Sequence, residues 1–335
     1  MTMKKYLFPA ALAAVFLISC GTGLEDSLSS PDGNIRILLT SREGNLEYSV
    51  SYRGESLILN SELGFTLKDH PAFGLMPRST TPSSHRSEWE PIWGKQAKIP
   101  DNYNQLTVRT ESTSSPPLQV NLVLRAYDDG FAFRYEFPEQ ERLSETVILA
   151  ENTEFALAGD FGCFALQRRS FSDSYEATYD RREISEIGPS EIIGMPLLIE
   201  AGKHWMAITE ANLTDYTGMS LGRAEGKPNA LVSRLAPYPD EPKILVKTRT
   251  PFVTPWRTVL IGPSAGKLIE SDLLFNLNPP CALEDVSWIR PGLAIWPWWN
   301  NRISNDPKVR GGRPSTAIMK YYTDFAVKHG IPNLV

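Results

Sequence analysis

Four tryptophans fall within the thirteen-residue run WIRPGLAIWPWWN, at positions 288, 296, 298 and 299. Indole faces beside an amide (Asn300) and a guanidinium (Arg290) suit a sugar-binding cleft. A pyranose ring offers apolar C–H faces for stacking and hydroxyls for a few placed polar groups. The same residues would equally serve as a tryptophan-rich core corner. No pair of carboxylates stands out for acid–base work. Asp128 and Asp129 are adjacent, but they precede Gly130 and read as a hairpin turn. Asp101, Asp173, Asp180 and Asp324 carry no signature. The histidines, His70, His85, His204 and His329, lack metal-ligand spacing, and the chain has neither a phosphate-cradling glycine loop nor a G-x-S-x-G nucleophile elbow.

The elements that must position these residues are mostly strands. The chain has 335 residues, 41% of them hydrophobic and 10% aromatic, with 26 prolines and a formal net charge of -5. This mixed, slightly acidic balance gives no electrostatic case for nucleic acid. From residue 31 to about 278, alternating or apolar runs follow one another at 34–39, 46–52, 56–59, 105–110, 118–127, 131–137, 147–149, 154–158, 195–200, 204–210, 230–235, 244–247 and 257–261. Turn signals separate them, Asp128-Asp129-Gly130 among them, where Gly130 is expected to supply a positive φ. So many strands in one block imply a large antiparallel sandwich of two sheets.

Beyond residue 279 the pattern changes to a strand at 294–298, a loop rich in Asn, Gly and Pro, a helix at about 316–329 and the start of a second strand at 333–335. Ser315 is the expected N-cap, Ile318, Tyr322, Phe325 and Ala326 the apolar face, and Gly330 the stop.

The N-terminus reads as an export signal. Lys4 and Lys5 precede an apolar run at 7–18 that is too short for a stable bilayer span. It ends in Leu17-Ile18-Ser19-Cys20-Gly21, which resembles a bacterial lipobox, so residues 1–19 would be removed and Cys20 would carry lipid. Acyl chains contribute about 0.8 kcal/mol per buried CH₂, and more than one chain holds a globular domain stably at a membrane. Ordinary cleavage near Ser19 is the alternative. Residues 20–30 would form a flexible tether. The remaining cysteines, Cys163 and Cys281, are as compatible with two buried thiols as with a disulfide.

Motifs run through the mature chain in order: Ser30-Pro31-Asp32-Gly33, Ser61-Glu62-Leu63-Gly64, Tyr103-Asn104-Gln105-Leu106, Arg125-Ala126-Tyr127-Asp128-Asp129-Gly130-Phe131-Ala132-Phe133-Arg134, Ser174-Tyr175-Glu176, Ile208-Thr209-Glu210-Ala211-Asn212-Leu213, Thr254-Pro255-Trp256-Arg257 and WIRPGLAIWPWWN. In this succession the chain resembles the N-terminal half of glycoside hydrolase family 97, a group of Bacteroidetes α-glucosidases and α-galactosidases. The resemblance implies a mostly β architecture, a β-super-sandwich over 31–278, followed over 279–335 by the truncated start of a (β/α)₈ barrel. Such a barrel takes about 250 residues, so only its beginning is expected here. It implies an exo-acting hydrolase of oligosaccharides whose catalytic carboxylates come from barrel strands beyond residue 335, leaving none assigned in this chain. It also implies a Ca²⁺ near the catalytic acid, with Glu176 matching the one ligand that the sandwich lends. Ca²⁺ takes six to eight oxygens, so most ligands would lie elsewhere. A surface strand glutamate paired with Arg181 or Arg182 would explain Glu176 equally well.

Trp298, Trp299 and Asn300 would sit at the C-terminal end of the first barrel strand, where barrel active sites lie, and so are candidate substrate-binding residues. Glu210 joins them as a possible cleft residue, although burial against an arginine would explain it too. Localisation follows from the lipobox and the resemblance: an exported periplasmic or outer-membrane lipoprotein of a Gram-negative bacterium, touching membrane only through its anchor. A non-catalytic carbohydrate-binding lipoprotein, or a degenerate remnant, is the alternative function. The break in mid-motif at residue 335 weighs against it, since a binding module would be expected to end near Pro279.

Overall fold

The computed structural model describes residues 24–335 except Glu43, Pro71, Ala72 and Ser144. Cys20, the signal segment and the first residues of the expected tether lie outside the described residues. The described residues form two compact units, one within 24–87 together with Pro100–Pro279 and the other Glu88–Ile99 with Pro280–Val335.

The first unit is a sandwich of antiparallel sheets. A four-stranded meander runs through Glu25–Ser29, Ile35–Arg42, Asn45–Tyr52 and Glu55–Leu63 in sequence order. Period-2 alternation turns Ile35, Ile37 and Leu39 to one face, beside Leu46, Tyr48, Val50 and Tyr52 of the next strand. Facing them is a thirteen-stranded sheet that includes Gln119–Tyr127, Gly130–Phe137, His204–Ala211 and Trp256–Gly262. Tyr48 joins the layers. Its ring lies 6.1 Å from Phe131 and 5.3 Å from Phe133, and its hydroxyl donates to the Glu154 carbonyl at 2.8 Å. Burying each such side chain contributes about 1.5–3 kcal/mol. A smaller sheet holds Phe65–Leu67, Glu145–Glu151 and Val246–Arg249.

Three differences from the sequence reading have physical causes. Glu25–Ser29, expected within the tether, is an edge strand paired with Ile35–Arg42; only Leu28 of it is buried, so it shows no apolar alternation. Leu75–Trp89 is a fifteen-residue strand that the reading left out. It lies at the edge of the large sheet, where Pro77 and Pro82 are tolerated and most side chains face solvent. Gly130 has a near-extended φ of 158°. It is glycine for lack of space, since a Cβ there would lie 2.3 Å from the Val259 carbonyl oxygen. The Asp128-Asp129 pair does form the turn into that strand, and Asp128 accepts from the Asp32 backbone N–H at 2.8 Å.

In the second unit, Ala294–Ile295 pairs in parallel with Asn333–Leu334, with the helix Thr316–Lys328 between them in the chain. The Ser315 hydroxyl caps that helix by accepting from Ile318 N, and Gly330 follows it with a φ of 65°. Ile318, Tyr322 and Ala326 are buried, whereas Phe325 is 46% exposed and lies tilted against the His329 ring. The strand expected over 294–298 stops after Ile295, because Pro297 cannot donate to a ladder and opens a 3₁₀ turn, Pro297–Asn300.

Both described cysteines are free, Cys163 buried and Cys281 exposed. Burial pushes the Cys163 thiol up to about 11, so at pH 8 it holds almost no thiolate. Titration of the folded protein with a thiol reagent should therefore label Cys281 rapidly and Cys163 only after denaturation. Equal labelling rates would contradict the burial.

Candidate functional site

The exposed aromatic step of the second unit is built by the 3₁₀ turn. Trp296 stacks against Trp298 at 5.5 Å and against Trp299 at 5.6 Å, with interplanar angles of 22° and 28°. Asn301 and Arg302 both adopt left-handed φ, 54° and 53°, and Arg302 N donates back to the Pro297 carbonyl at 2.8 Å. Such conformations cost free energy in non-glycine residues and persist where the surroundings hold them. Tyr322 supplies part of that hold: its hydroxyl lies 2.5 Å from the Ile303 carbonyl and 3.2 Å from Asn300 Oδ1. The result leaves Trp298 52% and Trp299 77% exposed. Trp298, Trp299 and Asn300 thus sit on one short turn just past the C-terminal end of the strand Ala294–Ile295. Chemically, indole faces with a neighbouring amide can stack on a sugar ring and bond one hydroxyl.

Glu176 occupies an exposed loop between Gly162–Arg168 and Asp180–Glu183, not a strand. The arginines expected to neutralise it are engaged elsewhere, Arg181 with Glu200 at 2.5 Å and Arg182 with Glu191 at 2.7 Å. Among the described residues Glu176 has no ion pair, which leaves its carboxylate open to an outside ligand. No three His, Cys, Asp or Glu side chains converge as a metal site among the described residues. Glu176 is thus suited to be one oxygen donor among several, and a six- to eight-coordinate Ca²⁺ would need the others from elsewhere.

Glu210 belongs to a buried charge network in the first unit. Arg257, on Trp256–Gly262, is fully buried; its Nε and Nη2 donate to the two oxygens of Glu151 at 2.6 and 2.7 Å. Its Nη1 donates to Glu210 Oε2 at 2.7 Å. Glu210 also accepts from Met219 N at 3.1 Å, and Tyr216 donates its hydroxyl to Glu151 Oε2 at 3.0 Å. Burial pushes the Glu210 carboxyl above the ordinary range, with Arg257 and the Met219 amide working against it. Burial likewise opposes the charge on Arg257, but Glu151 and Glu210 outweigh it and raise its pKa. With 14% of its side chain exposed, Glu210 is the rim of a structural network.

In the sequence Arg257 stands out only within the Thr254-Pro255-Trp256-Arg257 motif, and Glu151 not at all. A signal existed: an arginine inside the apolar strand WRTVLIG must be buried and must therefore find carboxylates.

A family profile described as "Glycosyl-hydrolase 97 N-terminal" matches residues 28–280. The chain is 27% identical over 363 residues to a protein named "Retaining alpha-galactosidase" from Bacteroides thetaiotaomicron, covering 99% of this chain and 53% of that one. It is 25% identical to a "Probable retaining alpha-galactosidase" from Streptomyces bingchenggensis, covering 100% of this chain and 50% of that one. Among solved structures, a glycoside hydrolase family 97 enzyme from Pseudoalteromonas sp. strain K8 in complex with acarbose superposes with a TM-score of 0.81 at 31% identity, over 92% of this chain and 46% of that chain. The same enzyme as its E480Q variant with panose gives 0.82. The chain spans about half the length of the curated relatives it matches.

Proposed function

The chain belongs to glycoside hydrolase family 97, and from that premise we propose that it is the N-terminal part of an exo-acting α-glycosidase acting on α-galactoside or α-glucoside oligosaccharides. The family match over residues 28–280 carries this reading, together with relatives about twice as long. In it the sandwich is the scaffold, and residues 279–335 begin a (β/α)₈ barrel whose later strands bring the catalytic carboxylates. Hydrolysis needs an acid for the leaving oxygen and a second carboxylate, about 5–5.5 Å away for retention of configuration. No carboxylate of this chain is given either role.

What this chain supplies is binding. Trp298 and Trp299 stack the sugar, and Asn300 bonds a hydroxyl and orients the ring. Glu176 would give one carboxylate oxygen to a Ca²⁺ completed by the barrel, an ion that would supply positive charge to the site when bound. Glu210 helps to shape the cleft wall through Arg257. Export with lipid on Cys20 places the protein in the periplasm or on the outer membrane of a Gram-negative cell.

The test pairs intact mass with activity. Protein isolated from its own cells should have about twice the mass of this chain, the relatives being covered at 53% and 50%, and should hydrolyse an aryl α-galactoside or α-glucoside in a Ca²⁺-dependent way. The 335-residue chain should turn over neither, and Glu176→Ala in the larger form should greatly weaken the Ca²⁺-dependent activity. Clear hydrolysis by the 335-residue chain would overturn the assignment of catalysis to later strands. A native mass matching residues 20–335 plus acyl chains would favour a carbohydrate-binding lipoprotein instead.

A further inference from the structure

The loop that carries Glu176 is more firmly anchored than its exposure suggests. Arg168, the last residue of Gly162–Arg168, reaches over the loop, and its Nη2 donates to the carbonyls of both Phe171, at 2.6 Å, and Asp173, at 2.8 Å. The same guanidinium lies 4.5 Å from the Tyr175 ring centroid, with Nη1 3.4 Å from the Tyr175 hydroxyl. Tyr175 is thereby laid across the sheet at Gly194, where a Cβ would come within 2.9 Å of its Cε1. The carboxylate of Asp173 closes the turn by accepting from Arg169 N and Ser174 N, both at 3.0 Å. Together these contacts fix the backbone immediately before Glu176, whose own carboxylate has no ion pair among the described residues.

We propose that Arg168 is a positioning residue: with Tyr175 and Gly194 it holds the Glu176 loop preformed, so that the carboxylate meets its cation without first being ordered. The inference rests on the Ca²⁺ reading of Glu176 given above. A planar fork that binds two carbonyls while stacking on an aromatic ring is a task for arginine that lysine cannot reproduce. Preordering of this kind acts on affinity, because the cost of immobilising a loop on binding is removed beforehand. The expected signature is a change in Ca²⁺ requirement without a change in the rate once Ca²⁺ saturates.

Two variants test this, Arg168→Lys and Gly194→Ala; in the second the guanidinium is kept, but the added methyl would lie 2.9 Å from Tyr175 Cε1 and 3.3 Å from Arg168 Cδ, pushing on the ring and on the arginine stem. In the 335-residue chain, amide hydrogen exchange at 171–176 should rise about ten-fold in both, with the midpoint of thermal unfolding little changed. Unaltered exchange at 171–176 would overturn the inference whatever the metal does. In the protein isolated from its own cells, the Ca²⁺ concentration giving half-maximal thermal stabilisation should rise about ten-fold, while kcat at saturating Ca²⁺ stays within two-fold. An unchanged Ca²⁺ midpoint despite faster exchange would also overturn it. If the unaltered protein shows no Ca²⁺ stabilisation at all, the metal assignment fails, and that outcome is separable because the exchange measurement does not involve the metal.

Discussion

Arg257→Met should destabilise the sandwich by about 3–5 kcal/mol, the cost of leaving a buried ion network without its cation. Glu151 is fully buried with both oxygens on that guanidinium, and Glu210 is nearly so. With Arg257 gone, Glu151 keeps only hydroxyl partners, Tyr216 and Thr153. A domain of this kind is stable by about 5–15 kcal/mol in total, so one substitution would consume a large share. Urea unfolding of the 335-residue chain would read it as a fall in the midpoint with unchanged slope. The double variant Arg257→Met/Glu151→Leu should recover much of the loss, because it removes the stranded charge and replaces the pair with apolar volume. Equal stability of the single variant and the parent would mean that the network is solvated rather than buried.

Gly130→Ala should also destabilise the sandwich, here for a purely steric reason. The added methyl would lie 2.3 Å from the Val259 carbonyl oxygen, 2.9 Å from Leu273 and 3.0 Å from the Leu260 Cα. Two of these are backbone atoms of the neighbouring strand, which pairs with Gly130–Phe137 from Leu260 through Arg257. Relief would require the strands to part at the centre of the large sheet, and overpacking that cannot be relieved by side chains alone costs about 1–3 kcal/mol or more. The loss should fall on the same ladder that carries Arg257. Expression as soluble, cooperatively unfolding protein is the readout, and a wild-type unfolding midpoint would refute the close approach. Gly54→Ala offers a control: with nothing within 4 Å and a φ of 82°, it tests strain without crowding.

Legibility in the sequence tracked how local each cause was. The strand Ala230–Leu235 and the helix Thr316–Lys328 with its Ser315 cap were readable because alternation, 3.6-residue periodicity and capping are short-range. Leu75–Trp89 was not, because a solvent-facing edge strand needs no apolar face. The strand expected through Trp298 was overextended because Pro297 acts on the backbone while the apolar run continues past it. The aromatic residues of the candidate site were visible by type, but their stacking on Trp296 depended on the turn. Glu176 was visible only through resemblance, and its lack of an ion pair depended on where Arg181 and Arg182 found their partners.

By itself, then, the sequence determined the family, the mostly β character and the residue types of the candidate site, since these reside in composition, alternation and ordered motifs. Only the tertiary structure decided that Arg257 meets Glu151 and Glu210, that Gly130 has no room for a methyl, and that Arg168 clasps the Glu176 loop. The first two depend on which strands lie side by side and in what register, and residues 106 positions apart, such as Arg257 and Glu151, are brought to hydrogen-bond distance by pairing that no local pattern encodes; the Arg168 clasp is short in sequence, but its seating against Gly194 is not.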